Sequence, residues 1–299
     1  MRSAYLLISH GSTDPRHQAA LERLAHSTQH HLSRLLREEY QPVAAALGGI
    51  TPGHLAATPS FRAFAPHGGL PPESPLVGTA TLEASATPLA QQIERFAQTA
   101  LEQGMRQVVL VPLFLLAGVH VQEDLPQEIA AARSRVSPRS RLVCTPYLGS
   151  HASFKQYVAT RLAQTAADRC LLLAHGSRRP AGNRGIQQLG TVLNAAVAFW
   201  SVPPALETQV AQLMQQGCQR LAIAPYFLFP GGITDAITRR TEALAEQLPQ
   251  LSLRLLAPLG THGDVGKAVA ELALGAPHAL PHAPWNTPVR PVTESGITA

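Results

Sequence analysis

Residues 108–120 read VVLVPLFLLAGVH, and residues 221–233 read LAIAPYFLFPGGI. Superposed on Pro112/Pro225, Phe114/Phe227 and Gly118/Gly231, the two stretches set His120 opposite Ile233. In each, an apolar run of strand length breaks at a proline and gives way to a glycine-bearing loop. That is the pattern of a strand covered on both faces, as in a parallel sheet flanked by helices. A second phrase is also repeated upstream: LLISHGS ends at Ser12 and LLLAHGS at Ser177. A third closes each half, Leu148-Gly149-Ser150-His151 and Leu259-Gly260-Thr261-His262. The chain states one fold twice, and the second statement has lost a histidine.

Working outward, the first copy is expected to hold a strand at Tyr5–Ser9 and a helix from Gln18 to about Glu39, with apolar residues at helical spacing. Further elements are expected at Leu76–Glu83 (strand), Pro88–Gln103 (helix), Val108–Leu115 (strand), Asp124–Arg135 (helix) and Arg141–Tyr147 (strand). The second copy reads as a strand Cys170–Ala174, a helix Ile186–Phe199, a segment Ala205–Thr208 and a short helix ending near Gly217. A strand Leu221–Phe229, a helix Thr234–Gln247 and a strand Leu251–Ala257 complete it. Strands alternating with helices predict an α/β chain of two similar doubly wound domains, each with a small parallel sheet flanked by helices. The domains are expected at 1–160 and 168–272, with a tail over 273–299. His10 and His175 lie 165 residues apart but Pro112 and Pro225 only 113, so the first copy carries extra chain. A Pro- and Gly-rich insertion at about 41–75 accounts for most of it.

Composition narrows the class. With 299 residues, 45% of them hydrophobic, the chain can bury two ordinary cores. No apolar run reaches the roughly 18 residues of a membrane span, and MRSAYLLISHG lacks the long apolar segment of a signal peptide. Cys144, Cys170 and Cys218 are scattered and odd in number, as expected of reduced thiols in a cytoplasmic protein. The charge of +5 and pI near 9.5 come with dispersed basic residues and only 5% aromatics, so no nucleic-acid partner is expected. Arginines suit an anionic small molecule, since a guanidinium grips a carboxylate with two hydrogen bonds.

Ligands of parallel α/β sheets bind beyond the carboxyl ends of the strands. His10, Glu83 and His120 each stand at such an end. Two imidazoles and a carboxylate make a first shell for a divalent transition ion, and the carboxylate can equally act as a general base. Each residue alone also reads as an ordinary turn or solvated strand end; their common location joins them. A strand followed by His-Gly-Ser is also similar to the Arg-His-Gly turn of histidine phosphatases. Ser9 stands where those enzymes need the phosphoryl-binding arginine, which disfavours that reading. No nucleotide-binding glycine motif is present.

Together, the strand ending in SHGS, the strand ending in LE, the phrase VPLFL-x-x-G-x-H followed by acidic residues, and the closing LG-x-H (PLG-x-H in the second half) resemble the class II tetrapyrrole chelatases. The similarity is to the sirohydrochlorin cobalto- and ferrochelatases of CbiX/SirB type, in their long two-domain form. The resemblance implies ATP-independent insertion of Co2+ or Fe2+ into sirohydrochlorin, in cobalamin or siroheme biosynthesis. It implies metal ligation by His10 and His120, with Glu83 as the active-site glutamate. The metal is then a substrate, and no tightly bound cofactor is expected. Ser12, Arg178, Arg179 and Arg184 are candidates for holding the anionic macrocycle, although the arginines also read as a solvated helix start. In the second half His175 persists and Glu207 sits near the position equivalent to Glu83, while Ile233 cannot ligate. His175 is then a structural remnant or a proton shuttle. The two halves would act as a monomer with an internal pseudo-dimer, free of membrane. A non-catalytic metal or tetrapyrrole carrier is the alternative, and it would need no base at Glu83.

Overall fold

The structure is a computed structural model that describes residues 2–47, 74–261 and 264–275. Its first sheet is built from β1 (Ser3–Ser9), β2 (Val77–Thr81), β3 (Gln107–Pro112) and β4 (Arg141–Cys144). Their spatial order is β2-β1-β3-β4, with all pairs parallel. The second sheet repeats this order as β6-β5-β7-β8, from β5 (Arg169–Ala174), β6 (Ala195–Phe199), β7 (Arg220–Pro225) and β8 (Ser252–Leu255). Between the strands run α1 (Pro15–Leu47), α2 (Leu89–Glu102), α3 (Leu125–Arg135) and α4 (Ala152–Ala163) in the first half. The second half has α5 (Pro180–Val192), α6 (Leu206–Gln215), α7 (Gly232–Gln247) and α8 (Asp264–Leu274).

Successive strand residues point to opposite faces of a sheet, and here the two faces feed different cores. Leu6 and Ile8 of β1 pack outward with Ile93 of α2 and Ile129 of α3. Tyr5 and Leu7 point inward, into a cluster that also contains Leu172 and Ala174 of β5 from the other half. Leu21, Leu24 and Leu32 of α1, Phe154 and Val158 of α4, Ile186 of α5, and Val265 and Val269 of α8 fill the space between the sheets. Leu171 and Leu173 face the second outer layer, with Val210 of α6 and Ile237 of α7. The two repeats therefore share their inner core. No helix among the described residues is long and apolar enough to cross a membrane.

Polar ties reinforce this junction. Arg16 at the start of α1 donates a fork of hydrogen bonds to Asp235 of α7, at 3.1 and 2.6 Å. Arg16 also grips Asp14, whose carboxyl is held down to about 2 by that hydrogen bond. Arg179, just before α5, reaches back to Glu123 at 2.9 Å. Arg161 of α4 donates to the carbonyls of Ala257 and Pro258 at the end of β8. His17 packs edge-on against Phe229, with ring centroids 4.7 Å apart. Burial, first of all, pushes its pKa down.

Several elements differ from their sequence reading. α1 runs through Leu47 instead of ending near Glu39, since Ala44–Ala46 are strong helix formers. The rest of the expected insertion, 48–73, lies outside the described residues, as does the tail from 276 onward. The expected helix Ile186–Phe199 is two elements. α5 stops at Val192, Asn194 takes a left-handed φ of 50°, and AAVAF becomes strand β6 beside β5. Pairing with β5 overrides the helical preference of its alanines. Periodicity had not assigned α4 and α8, although both help to fill the layer between the sheets.

Phe154 is fully buried in that layer, and its ring lies 6.3 Å from that of Tyr226 in the other half. Phe154→Ala is expected to cost about 3–5 kcal/mol. Urea unfolding followed by circular dichroism and fluorescence should give one coincident transition for both halves, shifted to lower urea in the variant.

Candidate metal centre

β1 ends at Ser9 and delivers His10 to the carboxyl edge of the first sheet. The next residue, Gly11, has φ of 97°, and a Cβ there would lie 2.0 Å from the Glu83 carbonyl oxygen. Only glycine permits this approach. The two loops are then stitched together: Leu82 N–H donates to Ser9 O at 2.9 Å, and Glu83 N–H to His10 O at 2.8 Å. Ala84 follows in the left-handed region at φ 56°, turning the chain sharply after Glu83. From the other side, β3 ends at Pro112, and a glycine loop leads into a π-helical turn over His120–Asp124 that continues as α3.

The three side chains meet. His10 Nε2 and His120 Nε2 stand 3.0 Å apart. Glu83 lies 3.8 Å from His10 Nε2 and 3.9 Å from His120 Nδ1. One ligand atom from each residue falls within a 4.8 Å set, and no other such group of three occurs among the described residues. The remaining ring nitrogens are already engaged. His10 Nδ1 lies 3.2 Å from Gly11 O, and His120 Nδ1 lies 2.7 Å from the Asp124 carboxylate. Both partners are acceptors, so a proton on each Nδ1 satisfies them and leaves each Nε2 available as a ligand atom. With metal–nitrogen bonds of about 2.1 Å, two cis ligands on one ion stand about 3.0 Å apart. The observed separation fits a single divalent ion.

Asp124, which holds the His120 ring, is the site neighbour that sequence reasoning missed. Its signal was the spacing: four residues after His120, it shares that residue's helix face. The acidic run after the histidine was visible but not resolved into one role. Its neighbour Glu123 takes the Arg179 ion pair, so the second half touches the very turn that carries His120.

The remaining predicted residues stand on the loop before α1 and around the start of α5. Ser12 Oγ accepts the Asp14 N–H at 3.1 Å, stabilising the entry to α1. Arg178 and Arg184 are exposed at the start of α5. A cavity of about 640 Å3 opens between the halves, lined by Leu115, Leu116 and Tyr147 on one side and Leu189, Leu193 and Tyr226 on the other. The thiols take no part; burial pushes Cys144 up to about 12.

In the second half, His175 is exposed past β5, and its carbonyl accepts the Ser201 N–H at 2.9 Å. That is the bond that Glu83 makes to His10, so Ser201 occupies the place of Glu83. Glu207, expected near this position, instead stands in the first turn of α6 and pairs with Arg240. The misplacement follows from reading β6 as helix. At the equivalent positions the second half thus has Ser201 for the carboxylate and Ile233 for the second imidazole.

The CbiX family model matches the chain twice, over residues 61–165 and 169–274. The first match starts beyond β1 and α1, whose counterparts β5 and α5 lie inside the second. A sirohydrochlorin ferrochelatase of Priestia megaterium is 25% identical over 174 residues, covering 54% of this chain and 65% of that protein. A sirohydrochlorin cobaltochelatase of the same organism is 23% identical, covering 66% of this chain and 68% of that protein. Among solved structures, the sirohydrochlorin chelatase SirB from Bacillus subtilis subspecies spizizenii, in complex with cobalt, superposes with a TM-score of 0.61 at 19% identity. That superposition covers 93% of this chain and 97% of SirB, and it carries the fold alone. With two matches that span most of both sheets, the chain belongs to the CbiX family.

Proposed function

We propose that this chain inserts Co2+ or Fe2+ into sirohydrochlorin without ATP, as a step towards cobalamin or siroheme. The observation that carries the reading is the pair of inward-facing Nε2 atoms 3.0 Å apart with a carboxylate within 4 Å. The names of the relatives add the macrocycle. Two imidazoles bind a borderline divalent ion yet leave its other positions to water, so the ion can be handed on. Insertion releases two pyrrole protons for each ion. Glu83, half exposed and beside the ion site, accepts them in turn and passes them to water. The halves 1–160 and 168–272 form the walls of the cleft, in a cytoplasmic monomer with its own internal pseudo-dimer. Arg178 and Arg184 take substrate carboxylates, with Ser12 at the rim; Arg179 does so only by leaving Glu123. Among the described residues His175 joins no group of metal-ligating side chains, and in this reading it binds no ion.

Three substitutions test the roles. Glu83→Gln should lower insertion by about 10²–10⁴-fold, with Co2+ affinity in the absence of macrocycle nearly unchanged. The assay is anaerobic absorbance of sirohydrochlorin with Co2+, Fe2+ or Ni2+ supplied in turn; full turnover by this variant would leave a carrier as the better reading. His120→Ala should be crippling and His175→Ala mild, and equal losses would mean that both halves share the chemistry. Asp124→Asn frees the His120 ring to adopt the other tautomer, and should weaken Co2+ binding by about 10–100-fold, measured by calorimetry.

A further inference from the structure

α1 carries four histidines, and two of them, His26 and His30, are exposed one turn apart. Residues four apart on a helix sit one above the other, with about 5–6 Å between Cβ atoms. Leu21, Leu24, Ala25, Thr28 and Leu32 bury the opposite face of the helix, so backbone and packing hold the two positions in register while both rings face water. Of the charges nearby, Glu22 and Arg23 lie one turn below His26, and Arg34, one turn above His30, is directed to Glu38 at 3.5 Å. His26 lies eleven residues along the helix from Pro15, or about 16 Å at 1.5 Å per residue. This face is therefore separate from the His10–Glu83–His120 centre.

We propose that His26 and His30 form an exterior site for a borderline divalent transition ion. Two neutral imidazoles at this spacing chelate one ion, and water completes its shell. The site is thus open and exchanges quickly. Imidazole donors without carboxylates select transition ions over Mg2+ and Ca2+, with affinity rising from Co2+ to Ni2+ to Cu2+. The site does not depend on the insertion reading, because it uses none of the central ligands.

Ni2+ titration of the full chain by calorimetry tests it, in a His10→Ala/His120→Ala background that silences the centre. His30→Ala should remove one equivalent, or weaken it by roughly tenfold or more. Adding Glu22→His to the His30→Ala chain recreates the spacing with His26 and should restore the equivalent. Unchanged stoichiometry and affinity in His30→Ala would overturn the site. So would a loss that Glu22→His does not restore in a chain with native circular dichroism. Macrocycle turnover in the otherwise unsubstituted chain, measured separately, reports on the insertion reading and not on this site.

Discussion

Two imidazole Nε2 atoms are held 3.0 Å apart, with the ring centroids 4.4 Å apart and the planes crossed at 86°. The rest of the centre keeps them there. Gly11 O and the Asp124 carboxylate occupy the Nδ1 protons, which prevents either ring from relaxing into the other tautomer. The backbone stitch between His10 and Glu83 needs the missing Cβ of Gly11. The π-helical turn carries His120 and Asp124 together. In the proposed reading, the two imidazoles hold the ion by two bonds and leave most of its coordination sphere free.

The shared inner core explains why a half that has lost its ligands persists. Leu172, Ala174 and Tyr226 belong to the same buried cluster as Tyr5, Leu7 and Phe154, so deleting the second half would expose the first half's inner face to water. The pairs Arg16–Asp235 and Arg179–Glu123 cross between the halves in opposite directions. Each is exposed and individually weak. Their value is geometric, since Arg179 ends on the turn that presents His120. Ile233 and Ser201, at the positions of the second histidine and the carboxylate, are both exposed and lie outside this core.

Much of this was legible in the sequence because buried parallel strands are written as unbroken apolar runs. Val108–Val111 and Leu221–Ala224 are of this kind, and so were easily found. His10, Glu83 and His120 could be gathered because strand ends in such sheets share an edge. What failed was local. AAVAF carries no β-branched run, and only its pairing with β5 makes it a strand; with β6 unread, Glu207 stood in for Ser201. α4 and α8 fill the space between two sheets, so their burial depends on a partner that periodicity within one segment does not reveal. Asp124 was hidden among neighbouring acids, and the contact with His120 Nδ1 singles it out only in three dimensions.

The central claim is that one ion is held by two imidazoles, both from the first half. X-ray absorption of Co2+ bound at sub-stoichiometric loading counts those ligands directly. With the exterior pair removed by His30→Ala, the account predicts two imidazoles in that chain and in its His175→Ala derivative, and one in its His120→Ala derivative. An imidazole shell that survives His120→Ala intact, or shrinks in His175→Ala, would contradict it.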